Sequence, residues 1–202
     1  MKKIEFYFEF GSPYGYFAAH EMASLSEEFD VEIDWKPFML GSACKETNAQ
    51  PLMNIPLKGP YCVQDWERIA LLKSVRWQLP SRFPAALLAP ARGFYWLQSL
   101  GEIELSKTFA LAAYQAYFAD DRPMWDVCET AKVAQECGIN PIEFEAAITS
   151  SEVKNLLIQK GEEAIKNGVF GSPFFKVDGE SFWGWDRIWM LKHWLEVGKW
   201  TI

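Results

Sequence analysis

The stretch KIEFYFEF, residues 3–10, places Ile4, Phe6, Phe8 and Phe10 on one side and polar or amphipathic residues on the other. That period of two predicts a strand with one deeply buried face. The pattern stops at Gly11-Ser12-Pro13. From there Tyr14, Phe17, Ala18, Met22, Leu25 and Phe29 fall on one helical stripe. VEIDWKPF (31–38) alternates again through Val31, Ile33 and Trp35 and is ended by Pro37. A strand, a helix and a second strand in about 35 residues predict a right-handed crossover joining two parallel strands. Ser12 is then the helix N-cap and Pro13 the first helical residue, the favoured order at a helix start.

Beyond the second strand, residues 39–62 lose periodicity and are rich in Pro, Gly, Asn and Thr, which predicts a long functional or mobile loop. Helices follow. VQDWERIALLKSVRW (63–77) is broadly apolar, and the 104–119 segment puts Leu105, Phe109, Ala112, Ala116 and Ala119 on one stripe. Asn140, Pro141 and Glu143 outline a capping box, and another helix is expected from about Ser151 to a left-handed stop at Gly168. PFFKV and ESFW then flank Asp178-Gly179, a two-residue hairpin signal. A last helix is expected near Asp186, with Ile188, Leu191 and Leu195 inward. The order is strand-helix-strand, a helical block, then hairpin-helix. A block of that kind reads as an insertion between two halves of one sheet.

Half of the 202 residues are apolar and 16% are aromatic, enough for a large core. The net charge of −7, with no basic run, argues against a nucleic-acid partner. No segment reads as a signal peptide or a membrane span, and a cytoplasmic location is expected. Cys44, Cys62, Cys128 and Cys137 form no C-x-x-C pair. They are expected to be reduced, with Cys128 and Cys137 serving packing. His20 and His193 are the only histidines. No metal-ligand cluster is visible, and nothing local supports a Ser-His-acid triad, which the sequence leaves open.

Three segments carry a resemblance. FEFGSPYGY (8–16) resembles the F-D-F-x-S-P-Y motif of the kappa-class glutathione transferases and the 2-hydroxychromene-2-carboxylate isomerases. GVFGSPFFKVDGESFWGWDR (168–187) resembles their C-terminal motif, and IPLKGPY (55–61) resembles their P-x-K-G-x-Y. The family's Asp in the first motif is Glu9 here. The resemblance implies an α/β, thioredoxin-like fold with an inserted all-helical domain. Residues 1–60 and 165–202 would form the thioredoxin-like part and 61–164 the insert. It also implies a homodimer, glutathione as cofactor and a small aromatic carboxylate as substrate; from the hydropathy, no membrane partner is expected. The activity implied is a glutathione-dependent isomerase. A kappa-like transferase or peroxidase is the alternative, as is a non-enzymatic binding module on the same fold.

In the wider superfamily a Cys-x-x-Cys opens the first helix. Here those positions read Ser12-Pro13-Tyr14-Gly15, so the chain lacks the two thiols that disulfide exchange needs. The resemblance implies instead that Ser12 donates a hydrogen bond to the thiolate of bound glutathione, against the plain reading of Ser12 as a cap. It implies a cis bond at Pro173 that frees the Ser172 backbone for the peptide, where local sequence alone favours trans. It assigns the γ-glutamyl end to Asp186 and the backbone of Trp185, and a carboxylate to Lys58; each has a bland reading, as a cap or a solvated surface residue. Asn48 or Asn54 would take the family's Asn role, although both are first of all turn-formers. Arg92 is a further candidate partner for a carboxylate.

Overall fold

In the computed structural model, which describes residues 2–200, the first strand and its crossover form as the alternation requires. β1 (Lys3–Phe8) pairs in parallel with β2 (Glu32–Pro37), register Lys3↔Glu32 to Phe8↔Pro37. The expected strand to residue 10 ends two residues early, at the turn that carries Ser12. β3 (Phe174–Val177) lies antiparallel on the other side of β1, and β4 (Glu180–Trp183) closes the hairpin. The strand order is β2-β1-β3-β4. Asp178 and Gly179 both have positive φ, 53° and 87°, the primed turn whose twist matches a two-residue hairpin.

The stripe from Tyr14 to Phe29 is carried by two helices, α1 (Pro13–Ala19) and α2 (Met22–Phe29). His20 and Glu21 between them keep right-handed backbone angles, so the apolar face continues across the break. The region expected as a loop is largely ordered. It holds α3 (Leu40–Thr47), a 3₁₀ turn (Leu52–Asn54) and the start of α4 (Lys58–Lys73). Only Ala43 of α3 is fully buried, so the helix has no apolar stripe for the sequence to reveal. α4 stops at Ser74, which turns left-handed at φ 53°, four residues before the expected end at Trp77.

α5 (Leu88–Ser99), α6 (Ile103–Phe118), α7 (Val127–Glu136), α8 (Pro141–Thr149) and α9 (Ser151–Lys166) complete the helical block. Asn140 caps α8 as expected, its Oδ1 accepting from the N–H groups of Ile142 and Glu143. Glu143 accepts from the Asn140 side-chain amide at 3.2 Å, where a capping box would use the backbone N–H. Ser150 caps α9, and Gly168 follows its end at φ 79°. α9 packs against both α5 and β2, so it belongs to the block and lies on the sheet. The last helix, α10 (Ile188–Val197), begins two residues after Asp186. Among its expected inner residues Ile188 and Leu191 are buried and Leu195 is half-buried.

The aromatic content joins the two parts. Phe6 stacks on Phe175 at 5.3 Å and meets Trp35 edge-on at 5.1 Å. Phe8 meets Phe94 of α5 and Tyr114 of α6 at 5.9 and 5.8 Å between centroids. The Tyr95 hydroxyl donates to the Pro37 carbonyl at 2.7 Å. The helical block is thereby fixed over the C-terminal ends of β1 and β2. Crevices at strand C-termini are where open α/β sheets take ligands, and Ser12 lies at this end.

Candidate active site

Ser12 is 7% exposed and caps α1. Its Oγ accepts from the Gly15 N–H at 3.1 Å and donates to the Ser172 carbonyl at 3.0 Å. Its own N–H donates to the Glu9 carbonyl at 2.9 Å. The cap reading and the site reading therefore coexist: the hydroxyl satisfies a helix end and reaches across to the β3 entry. Neither histidine hydrogen-bonds to Ser12; His20 lies edge-on to Tyr16 and His193 stacks on Trp200. Among the described residues no cluster of His, Cys, Asp and Glu is arranged to hold a metal.

Gly15 stands where a resolving thiol would be. A Cβ there would lie 2.7 Å from the Tyr114 Oη and 2.9 Å from the Ser172 Oγ. A cysteine side chain there would press on both hydroxyls, so this position is packed for glycine and lacks the second thiol of a C-x-x-C pair. All four cysteines are free. Cys62 is buried and Cys137 half-buried, while Cys128 is exposed and does not serve packing as expected. An α7 turn that leaves Thr130, Ala131, Val133 and Ala134 to the core points Cys128 away from it.

The Ser172–Pro173 bond is cis. The expectation that both backbone groups of Ser172 stay free needs correction, because its carbonyl already accepts from Ser12. Its N–H has no partner among the described residues. The Ser172 Oγ accepts from the Glu9 N–H at 2.9 Å, and the Pro173 carbonyl accepts from the Gly184 N–H at 3.0 Å. The last bond ties the loop before β3 to Trp185 and Asp186.

The Trp185 indole donates to Glu21 at 2.7 Å, and Lys73 of α4 reaches the same carboxylate at 3.1 Å while lying over the indole. Trp185 thus anchors its turn to both α2 and α4. Asp186 does not cap α10, contrary to expectation. It sits in a 3₁₀ turn, exposed, and pairs with Arg187 at 2.6 Å. Lys58 is the first residue of α4, exposed and in no salt bridge among the described residues. An ammonium there opposes the positive end of the helix dipole, so an anion would relieve it. Asn48 ends α3 in the left-handed region at φ 54°, and Asn54 ends the 3₁₀ turn before α4; both are exposed. Arg92 of α5 is half-buried, and its Nε is buried with no hydrogen-bond partner. A buried donor without an acceptor is costly, so Arg92 has unmet capacity for an anion.

Two residues that sequence reasoning did not assign to the site touch it. Tyr114 is fully buried and donates to the Glu9 carbonyl at 2.9 Å across 105 positions. Burial holds its hydroxyl well above its usual range, so it serves as a neutral donor. Glu9 carries a carboxyl that burial pushes up to about 7, with the Gly11 N–H working the other way. Its place in the polar row of the 3–10 alternation, three residues before Ser12, was visible. Its lack of a cation was not.

The profile of the DSBA-like thioredoxin domain matches residues 3–196, nearly the whole chain. The chain belongs to the DsbA-like thioredoxin family. Within that family it is 26% identical over 204 residues to glutathione S-transferase kappa 2 of Caenorhabditis elegans, covering 93% of this chain and 88% of that protein. It is likewise 26% identical over 196 residues to 2-hydroxychromene-2-carboxylate isomerase of Sphingobium xenophagum, covering 96% and 98%. The solved structure of a 2-hydroxychromene-2-carboxylate isomerase superposes with a TM-score of 0.86 at 21% identity, over 96% of this chain and 94% of that one. The expected thioredoxin-like fold and family resemblance are thus borne out. Among the described residues no helix of this DsbA-like chain is long and apolar enough to cross a membrane.

Proposed function

We propose that the chain is a glutathione-dependent isomerase of a small aromatic carboxylate, of the 2-hydroxychromene-2-carboxylate type. The observation that carries the reading is the Ser12 hydroxyl at a helix N-terminus, with no protein thiol at either active-site position. Glutathione, when bound, would supply a thiolate that adds to the substrate, allows ring opening and rotation, and is released unchanged. The N-terminus of α1 favours an anion through its dipole and the Tyr14 N–H, which has no partner among the described residues; Pro13 has no N–H, and those of Ser12 and Gly15 are already paired. The Ser12 hydroxyl gives up the Ser172 carbonyl to donate to that anion, a charge-assisted and stronger bond.

The fit to the tripeptide rests on groups with unmet capacity. The Ser172 N–H suits a peptide carbonyl laid alongside β3 as a short strand. Lys58, in no salt bridge among the described residues, suits a carboxylate, and Asp186, exposed beside the Trp185 backbone, would exchange its Arg187 partner for an ammonium. Arg92, with its orphaned Nε, is the candidate for the substrate's own carboxylate, and Asn48 or Asn54 the candidate to line the same cleft. The reading includes a cytoplasmic location and a homodimer. For the dimer, the exposed Tyr61, Leu71 and Leu72 of α4, with Leu57 just before it, are available apolar surface. Sedimentation should give the mass of two chains; a single-chain mass at all concentrations removes that part.

Calorimetry with reduced glutathione should give saturable heat at millimolar ligand or below. No heat would overturn the reading. A kappa-like transferase or peroxidase is the second reading, favoured by an equal 26% identity to the C. elegans transferase. Thiol titration during turnover separates the two. An isomerase leaves the glutathione concentration constant, and a transferase or peroxidase depletes it.

A further inference from the structure

Glu5, Tyr7 and Glu9 alternate with the phenylalanine row, Glu5 and Tyr7 within β1 and Glu9 just past its end. Glu5 is paired with Lys36, but Glu9 has no cation within salt-bridge distance among the described residues. The backbone of Glu9 is held at every polar atom. Its N–H donates to the Ser172 Oγ, and its carbonyl accepts from the Ser12 N–H and the Tyr114 hydroxyl, each at 2.9 Å. The side chain folds back over Gly11. Its two oxygens lie 3.0 and 3.2 Å from the point where a Gly11 Cβ would be, and the Ala85 carbonyl lies 2.7 Å from that same point. Gly11 therefore leaves the space that the carboxyl and the entry to α5 share. The titratable groups that sense Glu9 are Cys44 of α3 and Tyr114 and Tyr117 of α6, none of them a cation.

A thiol docked at Ser12 has a proton to lose, and few groups can take it. Ser12 itself is a donor to the anion. Lys58 carries no free acceptor, the histidines are elsewhere, and the Tyr114 hydroxyl is committed to the Glu9 carbonyl. We propose that Glu9 is the proton acceptor for the thiol held at Ser12, an assignment that rests on the glutathione reading above. In the step, the S–H bond breaks and its electron pair stays on sulfur. The proton forms an O–H bond on the Glu9 carboxylate, and it returns to sulfur when the thiol leaves. The raised affinity of this carboxyl for protons, near neutrality, suits an exchange with a thiol whose free value is about 8.5. The two groups titrate as a pair, since one negative charge is easier to hold there than two.

The test counts protons. Glutathione binding is measured by calorimetry at pH 7.5 in buffers of different ionisation enthalpy, with absorbance near 240 nm reporting the bound thiolate. The wild type should form thiolate while releasing close to no protons, because Glu9 retains the one lost by sulfur. Glu9→Gln should form thiolate and release about one proton per site, and Glu9→Asp should restore the low count. Equal counts in wild type and Glu9→Gln, or about one proton released by the wild type alone, would overturn the assignment while leaving glutathione binding intact. The wild-type count decides even if the variants fail to fold. Absence of any glutathione heat is a different result, and it removes the underlying reading along with this one.

Discussion

Ser12→Ala should lower turnover by tenfold or more, measured as glutathione-dependent isomerisation of 2-hydroxychromene-2-carboxylate. The expectation follows from what the hydroxyl does. It is the side-chain donor that caps α1, and removing a charge-assisted bond to a thiolate costs about 1.5–3 kcal/mol, or roughly 10- to 100-fold in rate. The same substitution removes a cap from α1 and the donor to the Ser172 carbonyl. Stability should therefore fall as well, by about 1–2 kcal/mol.

That double effect needs a control. Asn140→Ala removes a comparable cap from α8, where Asn140 accepts from two backbone N–H groups. It should cost about 1 kcal/mol and leave turnover unchanged. A Ser12→Ala protein that turns over within twofold of wild type would reduce Ser12 to a cap, and with it the isomerase reading. A loss of turnover shared equally by Asn140→Ala would attribute the effect to stability instead.

What the sequence revealed was local. Periodicity gave β1 and β2, Asp178-Gly179 gave the hairpin, and Ser12-Pro13 and Asn140-Pro141 gave two helix starts. Each depends on a few adjacent residues and their backbone preferences. The misses depend on partners distant in the chain. The 39–62 region hid α3 because one small side chain, Ala43, makes its only fully buried contact. Asp186 looked like a cap, but the 3₁₀ turn delays α10 and leaves the carboxylate to Arg187. The Ser172 carbonyl was expected to be free, and only the fold brings the Ser12 hydroxyl to it across 160 positions. Glu9 and Glu5 are indistinguishable by pattern. One faces Lys36 of β2 and the other lies beyond the end of the paired strand, its carboxyl over Gly11.

The same dependence on distant partners governs the largest stability effect expected. In a helix interior, Gly→Ala normally stabilises by about 0.8–1 kcal/mol, because alanine limits the unfolded backbone and favours the helix. At Gly93 of α5 the sign should reverse. A Cβ there would lie 2.5 Å from Phe144 Cε2, closer still to Cζ, and 3.1 Å from Phe109 Cε1. Both rings are fully buried, and they meet edge-on at 5.1 Å, so neither has space into which to retreat. Overpacking of this kind costs about 1–3 kcal/mol. Gly93→Ala should lower the melting temperature by roughly 4–8 °C for a net loss of about 2 kcal/mol in a chain of this length, and Gly93→Val by more. Gly161 in α9 is the internal comparison. There a Cβ meets only the Met39 Cε at 3.9 Å, an ordinary contact. Gly161→Ala should therefore raise the melting temperature by a few degrees. Thermal unfolding of the two variants side by side decides the matter: a Gly93→Ala protein as stable as wild type would mean that α5, α6 and α8 do not approach as closely as described. The close approach of α5 also places Phe94 on Phe8 and Tyr95 on Pro37, at the strand ends that carry the Ser12 turn. Residual folded Gly93→Ala should then show a weakened grip on glutathione, a second reading of the same displacement.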